Sequence, residues 1–171
     1  MSYIIRSIIP ACLVAMSMAS GVQAHELGVP ENDVVLTASG ELDVTNVDNT
    51  AQFDMDMLMA LDSTIIETST IWTDGVQEFE GVELHVLLER LGVTSGTILA
   101  TAINDYTIEI PVEDAVVDGP MIAYKLNQEF MSVRDKGPLW VVYPYDDNTD
   151  YRSEVTYSRS IWQLDRIEFV E

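Results

Sequence analysis

The chain has 171 residues and carries 29 Asp and Glu against 8 Lys and Arg, which gives a formal charge of −21 at pH 7. A surface this negative repels phosphate backbones and anionic lipid head groups, which argues against a nucleic-acid partner and against attachment to a membrane surface. Hydrophobic residues make up 47% of the chain, enough for a core, so a disordered acidic tail is excluded. The acidity has two open interpretations: adaptation to a saline habitat, or an acidic patch for a basic partner.

The N-terminal residues 1–24 have the pattern of a secretory signal peptide. Arg6 supplies a positive start and an apolar run follows it. Val22 and Ala24 then stand at the −3 and −1 positions of a cleavage site before His25. The apolar run is short for a membrane span, and no second one follows. We therefore predict export to the periplasm and no stable membrane insertion after cleavage; a retained N-terminal anchor is the alternative.

Cleavage would leave residues 25–171, a length that predicts a single domain. The only cysteine, Cys12, lies in the leader, so the mature chain would have no disulfide and no thiolate. Loss of Arg6 leaves 7 basic residues against 29 acidic ones, a formal charge of −22. These basic residues all lie beyond position 89, so the second half is where an anion site is expected.

Hydrophobic patterning predicts a β-rich α+β domain with a few short helices. The segment FDMDMLMAL fits both a strand and a helix. The clearest helix is in GVELHVLLERLG, where leucines recur at i, i+3, i+4 and i+7 from Leu84 and Gly92 is placed to end the helix. VEDAV fits one helical turn, and YDDNTDYRSEVTYSRS is a polar connection. Strands are predicted, in chain order, at Val34–Thr37, across Ser63–Trp72, and in the runs TILATAI, YTIEIP, MIAYKL, EFMSV, LWVVYP and IWQLDRIEFVE.

The acidic loop near the C-terminus partly matches a calcium-binding pattern. Asp146, Asn148 and Asp150 repeat the opening spacing of an EF-hand loop. The pattern then fails, because Tyr151 and Tyr157 stand where that loop needs Gly and Glu. We interpret the segment as a solvated acidic loop and predict no metal there.

The two histidines give little support for a copper site. His25 would be the mature N-terminus, where its amine and ring nitrogen together form a copper chelate. Such a site needs a second imidazole ligand, and His85 is the only other histidine. His85 stands four residues before Glu89 on the leucine helix, which predicts an exposed i, i+4 pair.

Two cations precede the strand LWVVYP. Arg134 and Lys136 stand directly before a Gly-Pro turn in a chain that is otherwise acidic. This placement favours a grip on an anionic ligand. The structural alternative is an ion pair with Asp135 or Asp105, which would leave nothing for a ligand.

Five segments, in this order, resemble the molybdopterin-binding domain of the sulfite oxidase family. They are FEGVELHVLLERLGV, NDYTIEIPVED, MIAYKLN, RDKGPLWVVYP and SIWQLDRIEF, and they are most similar to the short, exported, stand-alone bacterial relatives of that family. The resemblance covers residues 64–171 and implies a mixed β-sheet domain. In catalytic members it implies molybdenum held by a pterin dithiolene and one cysteine thiolate, with oxygen-atom transfer or reduction.

The sequence departs from what that resemblance implies for a catalytic member. The mature chain has no cysteine, and Ile161 precedes Trp162 where the family's closing motif usually has the lysine that holds the cofactor phosphate. Few cations stand near the relevant motifs: Arg134, Lys136, Arg152 and Arg159. Soft thiolate and concentrated positive charge are not readily replaced at such a site. We therefore predict no catalytic residue, no bound metal and no cofactor.

The predicted function is an exported, non-catalytic domain that binds a small ligand or a partner protein of the periplasm or membrane, as an accessory to a membrane signalling protein. The alternative is a molybdopterin-dependent oxidoreductase that binds its cofactor without a thiolate. The predicted ligand site combines a turn, the two cations and two tyrosines at and just after the end of the following strand: Asn104, Asp105, Tyr106, Arg134, Lys136, Tyr143 and Tyr145.

Overall fold

The computed structural model describes residues 27–171, so the predicted leader, Cys12 and His25 lie outside the described residues. This part of the chain forms ten strands, three short α-helices and three single 3₁₀ turns. The 3₁₀ turns are at Val112–Asp114, Val133–Asp135 and Thr149–Tyr151. The other elements are β1 (Val34–Gly40), β2 (Ala51–Asp54), α1 (Met55–Met59), β3 (Ser63–Ser69), β4 (Val76–Glu83), α2 (Leu84–Leu91), β5 (Thr97–Ala102), β6 (Thr107–Pro111), β7 (Met121–Leu126), β8 (Glu129–Phe130), β9 (Trp140–Val142), α3 (Glu154–Arg159) and β10 (Leu164–Val170).

The strands form two five-stranded sheets. The first has the order β2-β1-β10-β5-β6, and its β1 and β10 are parallel while the other pairs are antiparallel. The second has the order β3-β4-β7-β8, with β9 also paired to β7. Apolar side chains from both sheets and from α2 are buried in one core, among them Leu36, Phe53, Phe79, Leu87 and Trp140. The mixed, β-rich α+β architecture predicted from the sequence is confirmed.

Helix α2 follows the predicted leucine stripe. All four stripe leucines are buried, because their spacing places them on one helical face toward the core. Gly92 ends the helix with a positive φ of 76°, a backbone conformation that glycine adopts at little cost. His85 lies beside Glu83, with Nδ1 2.9 Å from Oε2, so the predicted pairing with Glu89 is wrong. Glu83 is the last residue of β4 and immediately precedes α2.

Three segments differ from their predicted structure. FDMDMLMAL is divided between two elements at Asp54, which ends β2 and caps α1 by accepting a hydrogen bond from the Met57 N–H. Strand β4 extends into the segment predicted as helix and ends only at Glu83. The polar connection contains α3, which Ser153 caps through the Thr156 N–H. A helix of six residues is too short to show a hydrophobic period, so only its cap residue marked it.

The predicted Gly-Pro turn before β9 is confirmed. Its Gly137–Pro138 peptide is cis, and Gly137 is buried against the chain at Met131. A Cβ atom at position 137 would lie 1.9 Å from the Met131 carbonyl oxygen, so only glycine fits without a shift of the backbone. The turn leads directly into the buried Leu139 and Trp140.

The helices of the described residues are all short, and none has the length and apolar character that a membrane span requires.

Candidate functional site

A cleft of about 340 Å³ opens beside the β5–β6 hairpin. Its other wall is the segment that leads from α3 into β10. Aromatic rings and neutral polar groups dominate its lining, and no side chain of that lining carries a formal charge. The lining residues are Trp72, Ala102, Asn104, Tyr106, Tyr157, Ser158, Ser160, Ile161, Trp162 and Gln163.

The hairpin wall is shaped by the turn after β5. The Ala102 N–H donates to the Tyr106 carbonyl at 2.9 Å, which closes the turn. The Asn104 side-chain oxygen accepts from the Tyr106 N–H at 3.2 Å, and Asp105 takes a positive φ of 66°. Asn and Asp tolerate such turns well, because their short polar side chains bond to the local backbone. The turn leaves the Tyr106 side chain at the mouth of the cleft, 56% exposed.

The opposite wall is fixed by backbone pairing to the loop before β9. The Val141 N–H donates to the Ile161 carbonyl at 2.9 Å, and the Gln163 N–H donates to the Lys136 carbonyl at 2.9 Å. The Gln163 side chain also donates to the Val133 carbonyl at 2.7 Å. Trp162, between these anchors, remains 37% exposed and faces the cleft.

Three rings meet at the base of the cleft. The Trp72 ring centroid is 5.6 Å from that of Trp162 and 5.8 Å from that of Tyr157, with interplanar angles of 73° and 84°. Trp72 also packs edge-on against the buried Trp140 at 5.9 Å. Lys136 lies beside this cluster, its ammonium 5.5 Å from the Trp140 ring centroid and 5.9 Å from that of Trp162.

The buried hydroxyl of Ser160 lies at the back of the cleft and is already satisfied. Its Oγ donates to the Thr156 carbonyl at 2.8 Å and lies in close hydrogen-bonding contact with the Tyr145 hydroxyl. Because the single Ser160 hydroxyl proton goes to the Thr156 carbonyl, the Tyr145 phenol, whose pKa burial raises to about 12, is the donor of the bond between the two hydroxyls. The Ser160 carbonyl accepts from the Trp140 indole at 3.2 Å. Among residues 27–171, the hydrogen-bond partners of the Ser160 hydroxyl are a backbone carbonyl and a phenol, neither of which is the general base that activates a nucleophilic serine.

A second buried tyrosine belongs to a separate polar cluster. The Tyr143 hydroxyl donates to the Asp114 carboxylate at 2.9 Å, and Arg159 donates to the same oxygen at 2.8 Å. Burial, and then the charge of Asp114, raise the pKa of Tyr143. This cluster joins the 3₁₀ turn at Val112–Asp114 to α3 and has no atom in the cleft lining.

The predicted site residues are divided among three places. Asn104 and Tyr106 line the cleft, whereas Tyr143 and Tyr145 are buried behind it. The Asp105 side chain is 85% exposed and forms an ion pair with Arg166. The predicted pairing of Asp105 with Arg134 or Lys136 is therefore wrong, because the antiparallel pairing of β5 and β10 brings Arg166 beside the hairpin turn.

The predicted cations take different roles. Arg134 is exposed, and Asp135 accepts from Ser132 instead of pairing with either cation. Within residues 27–171, neither Arg134 nor Lys136 forms an ion pair. Lys136 reaches the aromatic cluster, and Arg134 does not. Their place in ligand binding stays a prediction.

Sequence reasoning missed most of the aromatic wall. Trp72, Tyr157, Trp162 and Gln163 line the cleft but were not among the predicted site residues. Trp72 ends an extended run before a turn, and Tyr157 lies in a helix that the pattern did not reveal. The one sequence feature that could have indicated this wall was Trp162, which lies in the closing family motif.

The prediction of a solvated acidic loop is wrong for Asp146, whose carboxylate is engaged by other residues. Asp146 accepts from the Ser69 N–H at 2.6 Å, from the Ser69 hydroxyl at 2.8 Å and from Arg152 at 2.5 Å. The hydrogen bonds from Ser69 hold the pKa of Asp146 below its usual range. The loop ties the end of β3 to the segment after β9. In the described part of the chain, no three His, Cys, Asp or Glu residues converge as a metal site.

The described residues lack the groups that would hold the cofactor implied by the resemblance. Residues 27–171 contain no cysteine, so none of them offers molybdenum a thiolate. Arg152 and Arg159 form ion pairs with Asp146 and Asp114, and no cation lines the cleft. A pterin phosphate needs several charged donors. The residues present therefore do not fit a thiolate-held, phosphate-bearing molybdenum cofactor.

Comparisons with known proteins agree with the fold. A family model described as "oxidoreductase molybdopterin binding domain" matches residues 26–146, so the wall from Tyr157 to Gln163 lies beyond the matched segment. No curated protein gives a significant match. A solved structure, the sulfane dehydrogenase SoxCD from Paracoccus pantotrophus, is similar with a TM-score of 0.55 and 19% sequence identity.

That similarity covers 78% of this chain and 37% of the SoxCD chain. At such low identity it shows the fold alone, and the fold is the sulfite oxidase type of molybdopterin-binding domain that the motifs predicted. The family model covers well over half of the chain. The chain therefore belongs to the oxidoreductase molybdopterin-binding domain family.

Proposed function

We propose that this chain is an exported, non-catalytic member of its family that binds a small organic ligand in the cleft at Trp162. The observation that carries this proposal is the cleft's lining, which combines aromatic rings with neutral polar groups and has neither a thiol nor a cation. Ligand sites are typically concave and apolar, with a few polar groups that orient the ligand. A volume of about 340 Å³ suits a small molecule better than a protein segment.

Two further features support a non-catalytic role. Of the arginines near the family motifs, Arg152 and Arg159 are engaged by Asp146 and Asp114, and Arg134 is exposed and does not line the cleft. The Ser160 hydroxyl is engaged by a backbone carbonyl and a phenol, neither of which is a general base. Export to the periplasm is supported by the signal-peptide pattern of residues 1–24.

The test is the metal and pterin content of the protein purified from the periplasm of a molybdate-supplied host. We expect a mature chain that begins at His25 by mass spectrometry, with far less than one molybdenum or tungsten per chain and no pterin fluorescence after acid release. Stoichiometric molybdenum with a pterin would overturn the proposal in favour of an oxidoreductase with non-thiolate cofactor binding. A catalytic member of the family purified in parallel checks that the host supplies the cofactor.

A further inference from the structure

The base of the cleft has the geometry of an aromatic corner. Trp72 makes edge contacts with both Trp162 and Tyr157, at interplanar angles of 73° and 84°. Tyr106 adds a fourth ring to the lining from the opposite wall. Rings that lie at steep angles to one another can contact one small ligand from more than one side. The electron-rich face of Trp is the most favourable of the aromatic side chains for a cation.

One ring of this cluster, that of Trp162, already has an ammonium group beside it. The Lys136 ammonium lies within about 6 Å of two indole centroids, the range in which cation–π attraction operates. It does so without an ion pair to any residue of the described part, in a chain with 29 acidic residues. The rings of Trp140 and Trp162 are therefore its partners. The Trp162 ring, which lines the cleft, therefore already has an alkylammonium group within cation–π distance.

The rest of the cleft selects among charged ligands. The negative field of the whole chain attracts cations and repels anions. No carboxylate lines the cleft, so a primary ammonium would leave most of its N–H donors without a charged acceptor. A quaternary ammonium ion has no N–H donor, and its methyl groups pack directly on aromatic faces.

From these observations we infer that the cleft binds a quaternary ammonium ion on the faces of Trp72, Tyr157 and Trp162. This inference rests on the proposed role of the cleft as a ligand site and names the class of ligand. The charge of Lys136 lies close to the same rings and weakens the binding of a second cation. Removal of the Lys136 charge, although Lys136 is outside the lining, should therefore strengthen the binding of a cation in the cleft.

The probes are choline and 3,3-dimethyl-1-butanol, which has the same shape with carbon in place of the charged nitrogen. Titration calorimetry on the mature chain should show choline binding about tenfold more tightly than the neutral isostere. Trp162→Leu, which keeps apolar bulk, should lose about tenfold in choline affinity, whereas Trp162→Phe should keep most of it. Lys136→Gln should bind choline about threefold more tightly.

Phe130→Ala is the matched control, because it removes an exposed ring that contacts Lys125 away from the cleft and should leave choline binding unchanged. Tyr157→Leu, which removes another of the three proposed faces, provides a second variant if Trp162→Leu does not fold, and it should likewise lower the affinity for choline. Equal affinities for choline and the isostere would overturn the inference but leave the cleft as a ligand site. Absence of choline binding would also overturn it. Stoichiometric molybdopterin in the purified protein would instead overturn the proposed function.

Discussion

A single buried carboxylate fastens the N-terminal segment to the first sheet. Asp54 accepts hydrogen bonds from the backbone N–H groups of Glu31 at 2.9 Å, Asn32 at 3.0 Å and Met57 at 2.9 Å. These bonds, the one from Met57 above all, hold the pKa of Asp54 below its usual range although burial opposes the shift. A carboxyl group with a lowered pKa stabilises the folded state above its unfolded pKa, and this contribution is lost as the pH falls through the folded pKa.

Asp54→Asn should therefore lower the urea midpoint of unfolding at pH 7 and have a smaller effect near pH 3. The difference between the variant and the natural protein shrinks in acid, because the natural carboxyl group is then becoming neutral as well. Urea titrations followed by circular dichroism at the two pH values measure this. Asp62→Asn is the control, since Asp62 is exposed. An equal loss for Asp54→Asn at both pH values would contradict the prediction.

The sequence pointed to cleft residues only where a local pattern, such as a turn, places them. Asn104 and Tyr106 were predicted from a turn signal and do line the cleft. Tyr143 lies in the run predicted as a buried strand, and Tyr145 directly follows the end of that run at Pro144; both side chains are buried. Their hydroxyl partners, Asp114 and Ser160, come from other elements, so no local pattern indicated that these tyrosines would be held behind the cleft.

At the scale of elements, the register of β3 and β4 places two like charges opposite each other. Glu67 pairs with Glu78 across the two strands. Directly opposed like charges destabilise an antiparallel pair, and opposite charges stabilise it. Glu67→Lys should therefore raise the free energy of unfolding by about 0.2–1 kcal/mol at low salt. Urea unfolding measures this gain, which should shrink as salt screens the pair.

Glu67→Gln separates loss of repulsion from gain of attraction. The free energy of unfolding of Glu67→Gln should lie between those of the natural protein and Glu67→Lys, because the substitution removes the repulsion from Glu78 without adding an opposite charge. If Glu67→Lys were no more stable than Glu67→Gln at low salt, the two side chains would not be interacting across the strands. The register of β3 and β4 was itself outside what the pattern predicted, since β4 runs into the segment interpreted as helix.

For the whole molecule, charge is the dominant property. The mature chain would carry 7 basic and 29 acidic residues, a formal charge of −22. Charge of one sign destabilises a compact state through self-repulsion, and salt screens it. Raising sodium chloride from about 0.01 M to about 0.15 M shortens the Debye length from about 30 Å to about 8 Å. We expect the urea midpoint to rise over this range, in agreement with adaptation to a saline habitat.

Sucrose at matched osmolality serves as the reference for that measurement. Sucrose strengthens burial because it is excluded from the protein surface, but it does not screen charge. The urea midpoint should therefore rise more on addition of salt than on addition of sucrose. The charge difference between Glu67→Lys and the natural chain offers a second check, because the less acidic variant should respond less to salt. A midpoint that does not change with salt would contradict a destabilising role for the net charge.

The sequence by itself determined the charge, the leucine helix with its glycine end, the buried strand after the Gly-Pro turn and the order of family motifs. The charge and the order of motifs are properties of the sequence itself, and the helix and the strand depend on neighbours within a helical turn or a few residues. Only the tertiary structure decided that Trp72 meets Trp162 and Tyr157, and that Arg166, not Lys136, pairs with Asp105. Strand pairing joins segments that are far apart in the chain. The register of each pair then determines which side chains come close enough to contact one another.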